Sequence, residues 1–522
     1  MTTGVSPVSS LPESIEAQRA EKARLPDAVR ISLFVALLGA VFTLAIAMNL
    51  LVPVPYFYIG QPLYDVYAQS MLNGHLDLPA RLLKMEGHMT TDGTGYLYYG
   101  LTPLLTRIPF LPFVDLPTMW IPAFSIGFWA VLGNAAYHRA FWLALAKGSG
   151  GADKVGTATA MLLGFAMWLG VPGTVIVGAT PVFGEPLAAA YALGGGFVLL
   201  VAMVAFGSLK VERALIGMAV LAGLTVHARP HIAAGMYASI GLIALWLLFK
   251  GGWPRWRAVG IAMAVMGLFG AGLLAMNQIR FGDFKQSHGS LTDGPVEYSS
   301  VYWGLEDKNG TRARTYTVEG PFNVERFIPN AMIYFFAPPS DMGVNSVIES
   351  MRGLHDRMMA PKEPLTIADP SSGLIFMWPL WCLLAVIGLR QRELWRMPVA
   401  PAIAASVIGP FAMICYLTIT IRYHADLWLL LSLPAVFGVF GLARMLSEKP
   451  ERWKSWAPVL TVLVAVTCIV STHAMLYHRT ITIDHGRPWS AEFCMKLAKN
   501  KGFDLARSRE ICSLDEQGND LL

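Results

Sequence analysis

The chain has 522 residues, of which 54% are hydrophobic and 14% charged, with a net charge of +5. Soluble domains carry about 25% charged residues, so the composition excludes an ordinary soluble enzyme and implies one all-α polytopic membrane bundle. The cations sit mainly in short loops between apolar runs, a pattern of membrane orientation that gives no reason to expect a nucleic-acid partner.

Residues 1–30 are polar, hold Pro7, Pro12 and Pro26, and read as a disordered cytoplasmic tail without a cleavable signal. A span needs about 20 mostly apolar residues, and the first runs from Ile31 to Val52. A polar loop, 53–116, follows it. Further runs cover Pro117 to Leu145, Val155 to Val177, Val182 to Phe206, a short Ala214 to Val226, Ile232 to Phe249, and Val259 to Ile279. The second long polar segment, 280–372, is broken by Phe327 to Pro339, which is too short to span and reads as an interfacial or re-entrant helix. Leu374 to Leu389, Val399 to Ile421, Leu427 to Leu446 and Trp456 to Tyr477 complete about eleven transmembrane helices. The transmembrane unit is thus 31–477, and 478–522 is left as a polar tail.

Basic clusters fall in alternate loops: Arg139/Lys147/Lys154, Lys210/Arg213, Lys250/Arg255/Arg257, Arg390/Arg392/Arg396 and Arg444/Lys449/Arg452/Lys454. The positive-inside rule then puts the N-terminus in the cytoplasm and the C-terminal tail outside, with both long loops external. Cys382, Cys415 and Cys468 lie in apolar runs as small hydrophobes, whereas Cys494 and Cys512 share the tail and can pair if it faces an oxidising compartment.

Five ionisable residues near span ends share the external side: Asp65, Glu185, Arg229, Arg422 and Asp426. Each costs about 2.5–3.5 kcal/mol if carried to the bilayer centre, so their gathering on one face asks for a reason beyond snorkelling. Asp65 stands just after Pro62 at the start of a short amphipathic helix, either as a dipole-complementing residue or as a reactive acid. Leu78 to Met85, with Arg81 and Lys84, reads as a second amphipathic helix in the interface. Arg229 and Arg422 carry the permanent charge and paired donors that a phosphate takes, from a substrate or from a lipid headgroup. The link Arg422-Tyr423-His424-Ala425-Asp426 also allows a purely structural Arg–Asp pair. His75, Asp77, Glu86, His88 and Asp92, and His227 with His231, leave a divalent metal open, without zinc-like spacing on a helix face.

The acid in the first external loop, the run Gly95-Tyr-Leu-Tyr-Tyr-Gly100 followed by Pro103 and Pro109, the pair Arg229-Pro230, and the stretch from Arg422 to Pro434 together resemble the GT-C superfamily of membrane glycosyltransferases. The resemblance covers about Ile31 to Tyr477. It implies a sugar carried on a polyprenyl phosphate, transferred with inversion to a glycan, lipid or protein hydroxyl on the external face of a bacterial cytoplasmic membrane. It further implies Asp65 as general base. Arg422, Arg229 and Lys84 are then the candidate partners of the donor phosphate, with Glu185, Asp426, His424 and Tyr423 in support. Many relatives carry two adjacent acids where this chain has Tyr64-Asp65-Val66. A transporter or flippase of a lipid-linked or anionic substrate, and an O-antigen-type polymerase or ligase, are the alternatives. The first would place charges near the midplane, and the second would not need an acid after the first span.

Overall fold

The structure is a computed structural model; it describes residues 25–51, 62–98, 100–113, 120–178, 183–339, 345–359, 366–367, 372–481 and 489–519. The expected tail 1–24 and the aromatic start of the first loop, 56–60, lie outside the described residues.

Helix α1 (Asp27–Ala47) begins within the stretch read as tail, with Pro26 preceding it and Asp27 complementing the dipole of its first turn. Then come α2 (Leu63–Leu72), α3 (Ile121–Gly148), α4 (Thr157–Leu169, continued by the turn Pro172–Ile176), α5 (Gly184–Ala205), α6 (Val211–Val226), α7 (Pro230–Lys250) and α8 (Trp253–Phe281). The second polar segment forms α9 (Thr311–Glu319), α10 (Phe327–Phe336) and α11 (Asn345–Met359). The chain ends with α12 (Pro379–Leu389), α13 (Ala402–Ile414), α14 (Trp428–Glu448), α15 (Trp453–Ile481), α16 (Ala491–Asn500) and α17 (Leu505–Ile511). Every apolar run read as a span contains a helix. Among the described residues seven helices are long and apolar enough to cross a membrane, and α12 and α13 are shorter apolar helices, so the chain is a multi-pass membrane protein.

The bundle packs α3 against α5 and α14, α12 against α14, α7 against α13, α6 against α8, and α1 against α4. Without water to drive association, membrane helices approach closely where side chains are small. Gly388 and Gly438 show this at the α12–α14 contact: a Cβ on either would collide with a main-chain carbonyl of the other helix, at Pro434 and Leu384 respectively. Some polar groups inside pair with one another, which lowers their cost at bilayer depth. Trp168 Nε1 donates to His138 Nδ1 at 3.1 Å, and His138 Nε2 lies 3.0 Å from Ser32 Oγ.

The polar segments are less helical than their sequence suggests. Leu78 to Met85, expected as an amphipathic helix, is helical only at Ala80–Leu83 and then turns into a small sheet. In that sheet β1 (His88–Thr90) is the central strand between β2 (Gly95–Tyr96) and β3 (Val296–Tyr298), antiparallel to both. Gly93, with φ +83°, makes the β1–β2 turn, where the Asp92 carboxylate accepts from the hydroxyls of Thr90 and Thr94. Since β3 comes from the second polar segment, the two long polar segments form one unit; Ser299 N also donates to the Gly87 carbonyl at 2.8 Å.

The C-terminal residues 489–519 complete this unit. Helices α16 and α17 are joined by a Cys494–Cys512 disulfide and share a core with Leu63, Tyr64, Tyr67, Leu83 and Met89 of the first loop. Arg81 Nε donates to the Trp489 carbonyl at 2.8 Å, and Arg507 Nη2 to the Asp92 carbonyl at 2.8 Å. What reads as a polar tail is, over these residues, a folded cap on the first loop.

Candidate functional site

Asp65 lies in the first turn of α2, fully buried. Its carboxylate is held from outside the helix: Arg107 Nε donates to Asp65 Oδ1 at 2.9 Å. Arg107 ends the short 3-10 turn Thr102–Thr106, and the other edge of its guanidinium forks onto Glu185, with Nη2 to Oε1 at 2.8 Å and Nη1 to Oε2. Nη1 also donates to Thr106 Oγ1 at 2.9 Å, and the Arg107 guanidinium carbon lies 5.7 Å from the centre of the Tyr64 ring. One buried cation thus joins the first loop to the entrance of α5. Two carboxylates sharing a planar fork satisfy its donors in a way one lysine would not.

Sequence reasoning missed Arg107, which lies between the Pro103 and Pro109 it singles out. The available signal is a lone arginine between Leu104-Leu105-Thr106 and Ile108-Pro109-Phe110, an apolar setting in which an unpaired cation is costly.

Arg229 and Arg422 come together as expected, lining one cavity of about 400 Å³. Arg229 is the residue before Pro230 at the start of α7, where proline biases its predecessor to extended backbone (φ −141°), and its own N–H closes the end of α6 by donating to the Thr225 carbonyl at 2.7 Å. Its Nε is 3.7 Å from Asp426 Oδ1, and His231 Nε2 is 3.6 Å from Asp426 Oδ2. The Arg–Asp pair therefore runs between two links, and Asp426 orients Arg229. Arg422 belongs to the 3-10 turn Ile421–His424 ahead of α14, with its guanidinium carbon 3.7 Å from the Phe183 ring centre and 5.5 Å from that of Tyr423. A guanidinium this close to an aromatic face is held in part by the ring quadrupole.

The remaining wall comes mainly from both long polar segments. Glu86 and Tyr98 are from the first loop; His288, Tyr298, Ser300, Glu306 and Arg312 from the second; Tyr416, Thr418 and Tyr423 from the link between α13 and α14. Glu86 Oε2 accepts from Tyr298 Oη at 2.9 Å. Glu306 is held by Arg312 at 2.9 Å and Ser300 Oγ at 2.7 Å. The His288 ring stacks on Tyr298 with centres 5.5 Å apart, and burial pushes its imidazole below the ordinary value, which leaves it neutral near pH 7. Flat rings, carboxylates and guanidiniums suit a polar ring-shaped ligand bearing an anionic group.

Asp65 does not line this cavity, nor does Lys84. Burial pulls the Lys84 ammonium down to about 8. Tyr423 is on the wall, while His424 is buried behind it, with Nδ1 3.0 Å from the Ile421 carbonyl oxygen and its ring centre 5.3 Å from that of Tyr334. Glu185 is bound by Arg107. Among the described residues no three His, Cys, Asp or Glu side chains gather as metal ligands, and His88 instead sits in a box formed by Tyr98, Phe281, His288 and Tyr298.

No family model matches the chain, and no curated protein matches it. Solved structures of the Archaeoglobus fulgidus oligosaccharyltransferase are similar in fold course. The apo form is 10% identical with a TM-score of 0.45, over 90% of this chain and 58% of that one. The complex with an inhibitory peptide and a dolichol-phosphate is 8% identical with a TM-score of 0.43, over 90% and 58%. The form tethered to an acceptor peptide containing the NVT sequon is 10% identical with a TM-score of 0.43, over 90% and 57%. The chain therefore spans under three fifths of the length of these structures, and a likeness at this level carries no functional assignment.

Proposed function

We propose that the chain is a GT-C-type membrane glycosyltransferase, passing a sugar from a polyprenyl-phosphate donor to an acceptor hydroxyl with inversion, outside the cytoplasmic membrane. The observation that carries this reading is the convergence of Arg229 and Arg422, 193 positions apart in the sequence, on one cavity of about 400 Å³ walled by tyrosines and carboxylates. The volume falls within the roughly 300–1,000 Å³ of small-molecule sites. The two guanidiniums meet the phosphate whose charge develops as the anomeric C–O bond breaks, and the aromatic faces take the sugar ring.

In the reaction the acceptor oxygen attacks the anomeric carbon, the polyprenyl phosphate leaves on the opposite side, and the hydroxyl proton goes to a carboxylate. Glu306 on the wall is already engaged by Arg312 and Ser300, which leaves Asp65 and Glu86 as candidates for that proton. Asp65, the base that the resemblance implies, is enclosed by Arg107, and an acceptor reaches it only if that bond opens. Glu86 stands on the cavity wall with one hydrogen bond, from Tyr298, and is the base in the state described. Asp65 then fixes Arg107 and, through it, the entrance of α5.

External placement is supported by the alternating basic loops and by the disulfide in the cap, since disulfides persist in oxidising compartments. A polymerase or ligase would share the arginines but would not need an acid immediately after the first span.

The test is a transfer assay on the purified full chain with a panel of polyprenyl-phosphate sugars and a cell-envelope acceptor fraction, reading release of polyprenyl phosphate. Release from at least one donor, lost in Arg229→Gln and Arg422→Gln, is expected. No release from any donor, or unchanged release in both variants, overturns the reading.

A further inference from the structure

A second cavity, of about 420 Å³, lies among α3, α4, α12, α14 and α15. It has no part in the site above: α14 starts beside the Arg422 turn and runs 21 residues, about 30 Å, to the end where this cavity opens. On α4 its wall extends from Gly156 to Ala166, about 15 Å of helix, and it reaches Trp381 in the bundle interior. Packed interiors leave few voids larger than a water, so a slot of this length is a feature of the fold. Its deep wall is aliphatic and aromatic, including Leu162 and Trp381, while its mouth carries the exposed Lys154 and, beside Trp453, the turn bearing Lys449 and Arg452, with Lys454 in the first turn of α15. Lys147 is exposed one turn away; the acids near this mouth, Asp153, Glu393, Glu451 and the Arg444-paired Glu448, are fewer than these bases.

We propose that this cavity binds an anionic glycerophospholipid, with one acyl chain in the slot and the phosphate at Lys154. The slot is as long as much of an acyl chain and opens at the bundle's basic end, where anionic headgroups concentrate. An apolar interior with a cationic rim matches a molecule with an apolar tail and an anionic head. The inference is independent of the glycosyltransferase reading.

The test uses the purified full chain in mixed micelles and reads lipid retention by native mass spectrometry, with phosphatidylglycerol and phosphatidylcholine of identical chains. Phosphatidylglycerol is expected to be retained roughly fivefold or more over phosphatidylcholine, from the contribution of one cation to an anionic headgroup. Lys154→Glu, an exposed substitution, should abolish that preference, and Leu162→Trp, which fills the slot, should lower retention of both lipids. Equal retention of the two lipids by the wild type, or a preference surviving in Lys154→Glu, overturns the proposal.

Discussion

Arg107 donates from Nε to Asp65 at 2.9 Å while its other edge is bound to Glu185, and all three side chains are sealed from solvent. Removing one partner of a buried ion pair costs about 3–5 kcal/mol because the remaining charge is left desolvated. Arg107→Ala leaves two such carboxylates and should collapse folded yield, read as aggregation on size exclusion and a large fall in Tm. Arg422→Gln, at a half-buried position on the cavity, should fold normally. Equal behaviour of the two variants would mean that the Arg107 group carries no structural weight.

The two acids separate kinetically. General-base help contributes about 10²–10⁴-fold, so Glu86→Gln should lower kcat by that range with donor KM little changed. Asp65→Asn keeps an acceptor for Arg107 Nε and should cost chiefly stability, on the order of 1.5–3 kcal/mol for a charged hydrogen bond. If instead Asp65→Asn abolishes turnover in folded protein while Glu86→Gln retains it, the base is Asp65 and Arg107 must release it during the cycle.

Much of the bundle was legible because about 20 apolar residues have few other fates in a chain this poor in charge. The meeting of Arg229 with Arg422 was legible in part, since topology alone put both at the same end. Partner choice was not. Asp426 pairs with Arg229 from a separate link, and Arg107 finds Asp65 and Glu185 at separations of 42 and 78 residues. Glu86, His288, Glu306 and Arg312 enter the cavity through the pairing of β1 with β3, which short strands do not announce. The cap was unreadable because its apolar partners, Tyr64, Tyr67 and Leu83, belong to a loop more than 400 residues earlier.

Lys84 gives a pH signature. Its folded value of about 8 lies below the ordinary 10.5 because burial disfavours the ammonium. Between about 8 and 10.5 the unfolded chain holds the proton and the folded chain does not, so this group's contribution to stability rises with pH across that window and its penalty is full below it. Lys84→Met should therefore raise Tm at pH 7, and its advantage over the wild type should shrink by pH 10. A Tm difference independent of pH would remove Lys84 as the source.

The disulfide makes the cap testable apart from catalysis. Cys494 and Cys512 are 18 residues apart, and closing a loop of that size contributes about 3 kcal/mol in the chain-entropy account, a large share for two helices of ten and seven residues. The cap's other holds are the Arg81 and Arg507 bonds and the apolar core shared with the first loop. With the bridge gone, those contacts must order α16 and α17 unaided. The double variant Cys494→Ser/Cys512→Ser should thus leave bundle Tm within a few degrees but make 489–519 cleavable by trypsin at Lys496, Lys499 and Lys501, under conditions where the wild type resists. Reductant should reproduce this in the wild type and change nothing in the variant. Arg81→Ala in the oxidised protein should loosen the cap less than loss of the bridge. Resistance persisting in the reduced wild type would place the cap's stability in its packing on Tyr64, Tyr67 and Leu83, with the disulfide secondary.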